Sequence, residues 1–111
     1  MDPEVLHALL AVAALDSNQT CADCGEKEPA WASLGFGTFI CLNCAGHHRS
    51  LGVHITKVRS VRLDAWTREQ VRVMEEGGNV AFLDYLATLE DLSSSSAARR
   101  RYEHPQILHY T

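Results

Sequence analysis

Three observations predict a small α+β fold. Cys21-x-x-Cys24 and Cys41-x-x-Cys44 are two tight pairs that use all four cysteines of the chain. Helical apolar periodicity recurs before and after them, each time with a start signal. Short β-prone runs punctuated by glycine lie between and just after the pairs. At 111 residues and 46% apolar content the chain reads as one domain, residues 3–111, with a modest core of the kind that often leans on a metal.

The first helix is expected over residues 3–15. Asp2 can cap it, Pro3 suits its first turn and Glu4 the positive end of its dipole. Val5, Leu6, Leu9, Leu10, Val12 and Leu15 supply its apolar face, and Asp16-Ser17-Asn18 ends it. The cysteine segment follows, with a turn at Gly25. Trp31–Ser33 and Thr38–Ile40 read as short strands joined through Gly35 and Gly37. Leu42–Leu51 reads as a helix starting inside the second pair, closed by Gly52, with Arg49 in its last turn.

From Val53 to Leu63 an imperfect alternation predicts one bent strand. Thr67-Arg68-Glu69-Gln70 is a capping box opening a helix to Glu76, stopped by Gly77-Gly78. Asn79 is expected to cap a further helix to about Leu89. Val71, Met74, Phe82, Leu83, Leu86 and Leu89 are expected in the core. Ser93–Ser96 reads as a flexible break before the basic run Arg99-Arg100-Arg101.

Each C-x-x-C is short enough for both thiolates to reach one ion, and two pairs complete a tetrahedral S4 set. Such a set suits one Zn²⁺ and leaves no open position, so the metal is expected to be structural. Two disulfides are the alternative, in a secreted chain. The apolar run Val5–Leu15 has the length of a signal-peptide core, but Asp2 and Glu4 stand where positive charge belongs, so no secretory signal is expected. His47 and His48 invite a metal reading, but the four cysteines already satisfy zinc; His48 and His54 are expected to pack or hydrogen-bond rather than act as ligands or bases, and His7, His104 and His109 carry no signal.

The formal charge of −4 argues against general nucleic-acid binding. Four zinc-bound thiolates would bring it to about −6. Between Ala45 and Arg72, however, Arg49, Lys57, Arg59, Arg62, Arg68 and Arg72 face only Asp64 and Glu69. A local basic face on an acidic chain suits an anionic or acidic partner, although a solvated face is the commoner meaning. No apolar run reaches membrane-spanning length, and no P-loop is present.

Trp31-Ala32-Ser33, the spacing C-x2-C-x16-C-x2-C-x4-R that ends at Arg49, the run from His48 to Trp66, and Gly77-Gly78-Asn79 together resemble the Arf GTPase-activating protein (ArfGAP) zinc-finger domain. The likeness covers roughly residues 10–90. It implies a zinc-ribbon-like small sheet flanked by helices, presented to a GTP-bound Arf-type small GTPase whose hydrolysis it accelerates. Position by position, Arg49 matches the arginine finger, Cys21, Cys24, Cys41 and Cys44 the zinc ligands, and Trp31 a functional tryptophan. Leu51, Gly52, Val53 and His54 match the turn after the arginine, and Asp64 the acidic residue beyond; these are the expected partner-binding positions.

Gly35, His47 and Arg62 depart from the usual pattern, and the family usually continues into a last helix beyond the position of Thr111. The resemblance makes the chain an activator rather than an enzyme with its own complete site. It implies a cytoplasmic protein in vesicle trafficking, drawn to Golgi, endosomal or plasma membranes through the lipid-anchored GTPase. Two other classes fit less well: a GATA-type DNA-binding finger, with Arg99–Arg101 as its basic tail, and a catalytically inactive GTPase-binding module.

Overall fold

The computed structural model describes residues 2–89, 100–103, 107 and 110. Ser93–Ser96, Arg99, His104, His109 and the terminus at Thr111 lie outside the described residues.

Helix α1 spans Pro3–Ala13, with the Asp2 carboxylate accepting from the Glu4 N–H at 2.8 Å. Val5, Leu9 and Val12 form its buried stripe. It stops two residues short of the expected end because side chains capture its last carbonyls. Asn18 Nδ2 donates to Val12 O at 2.9 Å and Gln19 Nε2 to Ala14 O at 2.6 Å, over a 3-10 turn at Asp16–Asn18. Leu15 is consequently left exposed.

Strands β1 (Trp31–Ser33), β2 (Thr38–Ile40) and β3 (Val58–Ser60) form an antiparallel sheet in the order β2-β1-β3. Trp31 faces Ile40 and Ser60, Ala32 faces Phe39 and Arg59, and Ser33 faces Thr38 and Val58. Opposed residues share a sheet face. Ala32 and Phe39 therefore join one core with Val5, Leu9, Val12, Trp66, Val71 and Met74. Ile40 belongs to the second core, with Phe36, Ala45, Phe82, Leu86 and Tyr102.

The single bent strand expected over Val53–Leu63 is instead a turn, a short strand and another turn. Gly52 O accepts from the Ile55 and Thr56 N–H groups at 3.0 and 3.1 Å, folding the segment before β3 onto itself. After β3 the Asp64 carboxylate accepts from Ser60 N–H at 2.7 Å, and Ser60 Oγ from Leu63 N–H at 3.0 Å. Local polar groups thus outcompete ladder pairing on both sides.

Helix α2 spans Leu42–Ser50 and α3 spans Arg68–Glu76, the latter with both halves of the Thr67/Gln70 capping box. Helix α4 spans Gly78–Ala87. It closes early, through a Thr88 hydroxyl that donates to Tyr85 O at 2.6 Å. Asn79 does not cap it. Gly77 is the cap residue, and Asn79 is buried in the first turn of the helix, where its side chain accepts from Phe39 N–H at 2.7 Å and donates to Thr20 O at 2.8 Å. Val71, Met74, Phe82 and Leu86 are buried as expected, Leu89 is half-buried, and Leu83 is exposed.

Candidate functional site

Cys21 and Cys24 lie on the knuckle before the sheet; Cys41 is the residue before α2 and Cys44 lies in its first turn. Their four sulfurs all fall within 4.8 Å of one another, none is in a disulfide, and Cys24 Sγ lies 3.6 Å from Cys41 Sγ. An S4 set at the usual Zn–S length has S···S edges of about 3.8 Å, so the donors fit zinc with little movement. Burial pushes the Cys21 thiol up to about 11 and, with the Cys21 charge, lifts Cys44 well above the usual thiol range. At Cys41 burial also acts upward, but the Cys44 N–H and neighbouring thiols more than offset it. Such a crowd of sulfurs calls for a cation before all four can ionise.

Arg49 is exposed in the last turn of α2, where a cation suits the helix dipole. Its guanidinium lies 4.6 Å over the centroid of the half-buried Trp31 ring, so Trp31 both packs against the second core and carries the arginine. Beside the arginine runs a groove of about 410 Å³ lined by Arg49, Val53, Thr56, Lys57, Val58 and Arg59. Of the six cations that the sequence grouped as one basic face, the groove gathers three, Arg49, Lys57 and Arg59; Arg62 lines a separate pocket beside α1, Arg68 lies 3.5 Å from the Glu4 carboxylate, and Arg72 does not line the groove.

The turn after α2 is shaped by Gly52, whose φ of +99° disfavours any side chain. A Cβ there would also fall 2.7 Å from His54 Cε1. His54 and Val53 are exposed, and Leu51 packs at the edge of the second core. Asp64 is not on the groove; it is half-buried on the turn after β3, engaged with Ser60.

Sequence reasoning missed a buried polar chain beneath the arginine. His48, fully buried, is hydrogen-bonded through Nε2 to Asp23 Oδ2 and through Nδ1 to Ser33 Oγ, both at 2.7 Å. Ser33 Oγ is bonded to Thr56 Oγ1 at 2.7 Å, which accepts from Gly35 N–H at 2.8 Å. The other oxygen of Asp23 accepts from the Tyr102 hydroxyl and lies 3.4 Å from Arg101 Nη1. Burial, and then the Asp23 charge, hold the Tyr102 hydroxyl well above its usual range, so it stays a donor. Asp23, His48 and Ser33 have the order of a hydrolytic triad, but all three are buried, which leaves the serine no substrate. His48 is therefore the hydrogen-bonding histidine the sequence led one to expect. Arg101, expected in a basic tail, is instead buried against Asp23.

Residues 6–110 match the ArfGap family model, described as "Putative GTPase activating protein for Arf". The chain is 39% identical over 105 residues to the Saccharomyces cerevisiae ADP-ribosylation factor GTPase-activating protein GCS1, covering 95% of this chain and 30% of that protein. It is 53% identical over 77 residues to the human stromal membrane-associated protein 1, covering 68% of this chain and 16% of that protein. The chain thus spans a third or less of the length of these two relatives. Among solved structures, a "putative GTPase activating protein for ADP ribosylation factor" from Cryptosporidium parvum superposes with a TM-score of 0.75 at 36% identity, covering 98% of this chain and 91% of that one.

Proposed function

The chain belongs to the ArfGap family, and on that footing we propose that it accelerates GTP hydrolysis by an Arf-type small GTPase, with Arg49 supplied in trans. The observation that carries the reading is the exposed Arg49 guanidinium, held on the Trp31 ring at the rim of a cationic groove. During phosphoryl transfer charge builds on the oxygens around the β- and γ-phosphates. A planar, permanently charged fork stabilises that charge, and such an arginine is worth about 10³–10⁵ in rate. Trp31, the turn from Leu51 to His54, and Asp64 are proposed as partner-binding positions.

Cys21, Cys24, Cys41 and Cys44 would hold one Zn²⁺, which supplies a closed structural anchor at the start of the helix that carries Arg49. The partner would bring the nucleotide and, by its own lipid anchor, the membrane; the protein itself would be cytoplasmic. Among the described residues no helix is long and apolar enough to cross a membrane. The burial of Arg101 removes part of the basic tail on which a DNA-binding reading leaned, and the family assignment takes its place.

The test is single-turnover GTP hydrolysis by an Arf-type GTPase with and without this domain, alongside Arg49→Lys. A large acceleration, lost in a variant that still holds zinc, supports the arginine-finger reading. No acceleration from a zinc-loaded, folded domain across several Arf-like GTPases would reduce the chain to a binding module.

A further inference from the structure

We propose that His48 is the positioning residue for Arg49, held as the neutral Nε2–H tautomer by the buried chain from Gly35 to Asp23. The proposal rests on the reading of Arg49 as the arginine supplied to the partner.

The tautomer follows from counting donors. Gly35 N–H donates to Thr56 Oγ1, which leaves the threonine hydroxyl free to donate to Ser33 Oγ. Ser33 then donates to His48 Nδ1, and His48 Nε2–H donates to Asp23. Tyr102 donates to the same carboxylate from the other side. Run this way, each side-chain hydroxyl and ring nitrogen has a partner of the right kind. Reversing the chain at Nδ1 would make Ser33 donate to Thr56, which already accepts from Gly35, and would strand the threonine proton in a buried site.

The chain joins the three parts that set where the guanidinium sits. His48 precedes Arg49 on the last turn of α2, where fraying is otherwise easiest. Ser33 stands two residues from Trp31 on the same face of β1, so it references the helix to the ring beneath the arginine. Thr56 lines the groove beside Arg49. Asp23 sits between the first two cysteines, which ties the same imidazole to the metal knuckle. A helix end anchored at both ring nitrogens holds the next residue's backbone in one place, as transition-state stabilisation requires.

The experiment is a double-mutant cycle in the zinc-loaded domain, with rate at saturating domain and half-saturation measured separately. His48→Ala is expected to lower the saturating rate by about tenfold or more with little change in half-saturation, and His48→Gln, which can still offer an N–H towards Asp23, to recover part of it. In an Arg49→Lys background His48→Ala should change nothing further. An equal loss in both backgrounds, or a change in half-saturation alone, overturns the proposal. Arg49→Lys that loses no rate would instead sink the arginine reading, so the two failures are distinct. Should His48→Ala not fold, ¹⁵N spectra of the unmutated domain decide: an unprotonated Nδ1 supports the proposal, and a protonated Nδ1 overturns it.

Discussion

The Arg49 guanidinium rests 4.6 Å above the Trp31 ring, across the boundary between α2 and β1. A flexible side chain is thereby given a preferred direction before any partner arrives. An exposed cation–π contact of this kind is worth about 0.5–1 kcal/mol. Trp31→Ala should therefore lower the stimulated hydrolysis rate by about two- to fivefold through the lost stack alone, whereas Trp31→Phe keeps a ring face and more of the rate. Single-turnover rates at matched zinc content check this; equal losses in the two variants would remove the ring face from the explanation.

Gly35 and Gly46 make opposite predictions for the same change. A Cβ on Gly35 would fall 2.4 Å from Ile55 O and 2.7 Å from Thr56 Cβ, in the turn that Thr56 ties down. Gly35→Ala must push backbone apart and should destabilise by about 1–3 kcal/mol. Gly46 lies exposed in α2 with nothing within 4 Å of its Cβ position, so Gly46→Ala should stabilise by about 0.5–1 kcal/mol. Denaturant titration of both variants reads the signs directly.

Zinc affinity should rise with pH. Without metal, Cys21 titrates near 11 and Cys44 is also raised, so both thiols are protonated at neutral pH. Binding must expel those protons, and raising the pH lowers that opposition. Calorimetry in buffers of different ionisation heat is expected to find at least two protons released per zinc. Release of fewer than two near pH 7 would contradict the raised thiols. Chelation at neutral pH should unfold α2 with the knuckle, a loss visible by circular dichroism.

Lys57 and Arg59 line the groove without reaching the stacked position of Arg49. Their charge should speed encounter more than chemistry. Lys57→Glu with Arg59→Glu is expected to raise the half-saturating domain concentration severalfold at low salt while leaving the saturating rate near its original value. The difference should shrink as salt shortens the Debye length. A fall in the saturating rate would place these residues in the chemistry instead.

The clustering of the four cysteines and the place of Arg49 in the last turn of α2 were legible because their signals are local: cysteine pairs with two residues between them, and an arginine on the helix that the second pair begins. Capping chemistry at Asp2 and Thr67 was legible for the same reason. The buried chain was not, since Tyr102 meets Asp23 across 79 positions and Thr56 meets Ser33 across 23. Single polar residues at such separations leave no period to detect. Asn79 was misread because its type suits a cap, yet burial offered it tertiary partners. The alternation in Val53–Leu63 concealed two turns, because Gly52 and Asp64 act on backbone groups and leave the apolar pattern almost untouched.

Helix α4 has no start signal of its own. Its first amides are satisfied from elsewhere, Gly78 N–H by Gly37 O at 2.8 Å and Asn79 N–H by Asn18 Oδ1 at 2.9 Å. The helix can therefore persist only while the β1–β2 loop and the end of the α1 region are in place. In amide hydrogen exchange, residues 78–87 should open together with β2 as one cooperative unit rather than fray alone from their N-terminal end.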